Sequence, residues 1–133
     1  NEFRLVSDAI DILDAKIVNI GIDFEIVVDP NFNAESVMSK AIDKLISYMN
    51  IENFQIGQPI RVSDLNNLVY NIPGVVSVID IKFVNKVKTD DDSNYSNVIY
   101  NLSNNTRKGI LYPPEGGIFE VKNLDIDIRG TAS

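Results

Sequence analysis

Between Lys16 and Asp29 the chain alternates with a period of two. Val18, Ile20, Ile22, Phe24, Ile26 and Val28 take every second position, and Asn19, Gly21, Asp23, Glu25 and Val27 fall between them. Successive side chains of a strand point to opposite faces, so this run predicts a long strand with one strongly apolar face and one mostly polar face. Such a strand belongs in an antiparallel or mixed sheet that helices cover on one side. Asp29-Pro30-Asn31 ends it.

Two helical stripes supply the cover. Asn33 is a natural cap, because its side-chain oxygen can accept from a free N–H one turn in. Val37, Met38, Ala41, Ile42, Leu45, Ile46 and Met49 follow at three- and four-residue steps, with Lys40, Asp43, Lys44 and Ser47 outward. This predicts a helix to about Asn50, in which Ile42→Asp damages the fold. A second helix is predicted from a Ser63 cap through Leu65, Leu68, Val69 and Ile72, ended by Pro73-Gly74. The β-branched run Val75-Val76-Ser77-Val78-Ile79 then favours a strand. Its alternation sets Val75, Ser77, Ile79, Ile81 and Phe83 on one face, and Val76, Val78, Asp80 and Lys82 on the other. Apolar groups on both faces suggest an interior position in the sheet.

The remainder is less regular. For Asn1 to Asp14, Val6, Ile10 and Leu13 fit a helical stripe, whereas Ile10 and Ile12 around Asp11 fit a short strand, the favoured reading. Phe54–Ile56 is a candidate short strand. The stretch at about 85–117 is rich in Asn, Ser and Asp and reads as an excursion, a hairpin arm with Val98-Ile99-Tyr100 and Ile110-Leu111-Tyr112 as its strands. Ile118 to Arg129 reads as the last strand. Its apolar positions slip by one near Asn123, which a bulge would absorb. The fold expected is α+β: a mixed sheet of about four strands with two helices on one face, plus the long Asn-rich excursion before the last strand.

The chain has 133 residues and is 44% hydrophobic, which suits a single domain, 1–133, with one core. It begins at Asn1 and reads as a piece of a longer protein. No apolar run reaches the roughly 18–20 residues that cross a bilayer as a helix, so no membrane insertion is expected. A net charge of −7 repels phosphate and argues against nucleic acid as a partner. There is no Cys and no His, which removes thiol chemistry, the commonest general base and the commonest transition-metal ligand.

Reactive motifs are also missing. Asp90-Asp91-Asp92 lacks the ligand spacing, turn glycine and closing Glu of a calcium loop, so a solvated loop tip is expected there. Asp23 and Glu25 share a strand face, which is normal for solvated acids. Gly116-Gly117 lacks the Lys and Ser/Thr of a phosphate loop. Asn94-Tyr95-Ser96, Asn101-Leu102-Ser103 and Asn104-Asn105-Thr106 match the glycosylation pattern, as chance allows in an Asn-rich segment. No catalytic residue, cofactor or metal site is expected. Tyr95, Tyr100 and Tyr112 are the candidate partner contacts, since Tyr is enriched at interfaces. The other reading of these tyrosines is that they pack the excursion against its own domain.

The run G-Q-P-I-R-V-S-D-L followed by I-P-G-V-V-S-V-I-D-I, with the preceding I-V-N-I-G-I-D-F-E-I-V-V-D-P, resembles the baseplate J-like family of contractile phage tails. The ending Y-P-P-E-G-G-I-F-E-V-K-N-L-D-I-D-I-R-G is similar to the C-terminal part of the large baseplate wedge protein of T-even-type phages. The resemblance implies a structural, non-enzymatic component of the virion, assembled in the host cytoplasm. Its implied partners are copies of itself, as a homodimer or ring, and other baseplate wedge proteins. Related contractile injection machines use similar parts. A small ligand-binding regulatory domain of βαβ type is the alternative, and it would need a pocket with convergent polar groups.

Overall fold

The computed structural model describes residues 16–50, 54–88 and 95–133, and the expectations for Asn1–Asp14 and Asp90–Asp92 lie outside the described residues. Among the described residues the architecture is α+β, with a mixed four-stranded sheet, two helices of more than one turn and a second, smaller sheet. The alternating run is the central strand, β1 (Lys16–Val28). Its apolar side chains Val18, Ile20, Ile22, Phe24 and Ile26 are all buried.

The first helix, α1 (Ala34–Tyr48), starts at the expected cap: the Asn33 side-chain oxygen accepts from Ser36 N–H at 2.9 Å. Val37, Ala41, Leu45 and Met49 are buried, whereas Ile42 is only partly so. Leu45 is therefore the more sensitive position, since fully burying such a side chain stabilises by about 1.5–3 kcal/mol. Phe54 is buried but forms no strand. A two-residue strand, β2 (Ile60–Arg61), lies further on and runs straight into α2 (Val62–Tyr70). Ser63 thus sits inside the helix and does not cap it. The cap position is Arg61, which makes no side-chain cap bond.

The next strand, β3 (Val75–Asn85), pairs antiparallel with β1. Two irregularities correct the expected faces. The register shifts between Glu25 and Ile26, where Ile79 is the extra residue, and between Val27 and Val28, where Val76 is extra. Each bulge re-phases the strand, so Val78 packs against the core while Val76 and Ile79 are each 52% exposed. The strand is also not interior: among the described residues it pairs with β1 alone.

The excursion folds back onto the domain. Val98–Tyr100 is not a strand. The small sheet instead has the order β2, β5 (Ile110–Leu111), β4 (Thr106–Arg107). Its hairpin turns at Lys108 and Gly109, with φ of 53° and 75°, the double positive φ of a tight two-residue turn.

The expected last strand is split in two. β6 (Gly117–Glu120) runs parallel to Lys16–Asn19, and β7 (Ile128–Ala132) runs parallel to Ile22–Ile26, with one helical turn, α3 (Leu124–Asp127), between them. Lys16 N–H donates to Gly116 O, whereas Asn19 O accepts from Lys86 N–H on the β3 side. Alternate residues of a strand turn their backbone groups to opposite edges, so β6 and β7 occupy one edge of β1 and β3 the other. A helical detour, in place of a one-residue bulge, absorbs the slip near Asn123.

Candidate functional site

The three tyrosines of the excursion have distinct environments. The Tyr95 hydroxyl donates to Asp127 Oδ1 at 2.7 Å, and this buried carboxylate also accepts from Asn123 N–H at 3.3 Å through Oδ2. The Tyr100 hydroxyl donates to the Tyr112 carbonyl at 2.7 Å, and its ring lies 6.3 Å from that of buried Phe119. Burial raises the phenol pKa of both Tyr95 and Tyr100, and for Tyr95 the bond to Asp127 raises it further. Tyr112 is 40% exposed, with the Arg107 guanidinium 6.0 Å from its ring centre. Tyr95 and Tyr100 therefore have partners within the domain, and Tyr112 is the most open of the three.

A second cluster fixes the excursion in place. Asn85 Oδ1 accepts from Tyr100 N–H at 2.8 Å, while Asn85 Nδ2 donates to Asn19 O at 3.1 Å. The end of β3 is thus tied to both β1 and the excursion.

The more exposed feature is the outer face of the sheet along β3. Register places Lys82, Asp23 and Arg129 in one row across three strands, and Asp80, Glu25 and Thr131 in the next. Asp80 and Lys82 form an exposed ion pair at 3.5 Å. The two bulged aliphatics, Val76 and Ile79, lie beside these charges, and Val84 is 39% exposed. Because Lys86 N–H faces β1, Ile81 and Phe83 turn their backbone groups to the far edge, where no described strand pairs with them. An edge of this kind offers backbone hydrogen bonds and apolar contact together. The sequence signal was the apolar content of both faces of this strand. The bulges that expose Val76 and Ile79 depend on pairing with β1 and carried no local signal.

Two open grooves lie on the helical side. One, of about 490 Å³, runs between α1 and β7 past Met38, Ile42, Gly130 and Ala132. The other, of about 590 Å³, lies between α1 and α2 beside Lys40, Lys44 and Asn71. Among the described residues, no group of three Asp or Glu is placed to hold a metal ion, and no helix is long and apolar enough to cross a membrane. No family model and no curated protein matches this chain, so its function has to be argued from fold and surface.

Proposed function

We propose that this chain is a structural component of a phage contractile-tail baseplate wedge, built into the virion by contacts with copies of itself and with other wedge subunits. It acts by burying surface and not by chemistry. The observation that carries this reading is the outer edge of β3, which no strand among the described residues pairs with, together with the two bulges that hold Val76 and Ile79 in water. A lone domain gains nothing from exposing branched aliphatics beside an open strand edge, and such edges invite aggregation unless a partner covers them. The sequence resemblance supplies the kind of assembly. The acidic net charge of −7 favours protein over nucleic acid as the partner.

Sedimentation of the full chain over a range of concentrations tests the proposal. Reversible association that strengthens with concentration is expected. A strict monomer at high concentration that also fails to join a wedge subassembly would sink it. The alternative, a small-ligand regulatory domain, would use the polar groove between α1 and α2. A thermal-shift screen against metabolites separates the two, because a ligand bound only by the native form raises its melting point.

A further inference from the structure

Asp80 lies directly opposite Glu25 in the β1–β3 register, and like charges facing each other across strands destabilise the pair. The Glu25 carboxylate already accepts from the Ser133 hydroxyl at 2.9 Å, and Asp80 leans on Lys82 two residues along its own strand. That ion pair is exposed, with the lysine side chain 73% accessible, so water screens it strongly. The edge therefore carries an acid next to another acid, and a cation two positions away on the same face.

A spacing of two between opposite charges is self-complementary under a two-fold axis. We infer that the partner at this edge is a second copy of the chain, joined β3 to β3 antiparallel about Ile81. This rests on the assembly reading above and names its surface. With the axis at Ile81, the two Ile81 backbones exchange N–H···O bonds on the edge that β1 leaves free. Asp80 of each copy faces Lys82 of the other, at the roughly 4.5–5.5 Å between Cβ atoms of directly opposed residues. Each Asp80–Glu25 clash thereby gains a second lysine. The same operation sets Ile79 of one copy opposite Phe83 of the other and Val84 opposite Val78, so the exposed Ile79 and Val84 both lie along the seam. The contact is isologous, as a closed two-fold requires.

The charges supply the test, using the 133-residue chain in sedimentation velocity. K82D has only acids at positions 80 and 82, and D80K only lysines, so each alone should associate at least ten-fold more weakly than the wild type. An equimolar mixture places acids opposite lysines at both positions and should restore dimerisation to within a few-fold of the wild type. Thermal melts of each variant establish that it is folded. If either variant fails to fold, amide exchange in the wild type decides: Ile81 and Phe83 should exchange more slowly at high than at low concentration. The inference is overturned if folded variants dimerise like the wild type, if the mixture stays monomeric, or if those amides are unaffected by concentration. Association of the wild type with indifferent charge variants would reject this edge while leaving the assembly reading standing. A wild type monomeric at every concentration would reject self-association itself.

Discussion

The Ser96 N–H donates to the side-chain oxygen of buried Asn19 at 2.6 Å. The other end of the same amide donates to Glu120 Oε1 at 2.8 Å. One side chain on the nominally wet face of β1 thus joins the excursion to β6 and removes its own polar group from water. Asn19→Leu keeps the volume but leaves the Ser96 N–H without its acceptor. An unsatisfied buried donor costs about 1–3 kcal/mol, so the unfolding free energy from a urea titration should fall by that amount and the midpoint with it, with faster amide exchange at Ser96. An unchanged midpoint would remove Asn19 from its role as the clip.

Gly130 faces Phe24 across the β1–β7 pairing, beneath α1. A Cβ added there would overlap the Met38 sulfur and the Phe24 ring. Gly130→Ala should therefore lower stability by about 1–3 kcal/mol, the usual cost of overpacking. Met38 is flexible and only partly buried, so Met38→Ala should recover part of that loss when combined with Gly130→Ala. A double-mutant cycle by chemical unfolding measures the coupling. Strict additivity would mean that α1 does not press on β7 at this point.

These contacts mark where the sequence stopped being readable. β1 and α1 were legible because a period of two and a period near 3.6 are local signals, and Asn33 caps within one turn of itself. The faces of β3 were not, since a bulge is decided by the partner strand: Ile79 follows the alternation in sequence yet is displaced where β1 passes from Glu25 to Ile26. Val98–Tyr100 has strand-like composition, but the Asn85 side chain takes up the Tyr100 N–H that a neighbouring strand would otherwise accept. The phase slip near Asn123 was visible, though one apolar slip fits a bulge as well as a helical detour. For the candidate site, the residue types were visible and their exposure was not.

Three phenols should make the fold sensitive to alkali. Burial is the leading cause of the raised pKa at Tyr48, Tyr95 and Tyr100, helped by Asp64 beside Tyr48 and by the bond to Asp127 at Tyr95. The folded state therefore holds these protons more tightly than the unfolded chain, whose phenols ionise near pH 10. The associated stability is fully present below about pH 10 and is lost as pH climbs through the higher folded-state values. A phenolate at Tyr100 can no longer donate to the Tyr112 carbonyl, and one at Tyr95 would repel Asp127. Melting temperature should accordingly drop above about pH 10, and Tyr95→Phe with Tyr100→Phe should flatten that drop. An absorbance titration showing all phenols ionising as free tyrosine would contradict the account.

Ile79 separates folding from assembly. It is the extra residue of a bulge and 52% exposed, so its side chain contributes little to the core. Ile79→Asp should leave the unfolding free energy of the monomer within about 0.5 kcal/mol of the wild type, as surface changes usually do. In an assembled state the same substitution places a carboxylate at the seam beside Asp80, so that the Lys82 of the other copy has one more acid to offset. Association should then weaken at least ten-fold, or about 1.4 kcal/mol. Leu45→Asp is the opposite control: fully buried in α1, it should unfold the chain and abolish assembly only as a consequence. Melting curves and sedimentation on the same samples distinguish the two. A destabilised Ile79→Asp monomer, or one that associates as tightly as the wild type, would mean that the bulge serves the fold and not a partner.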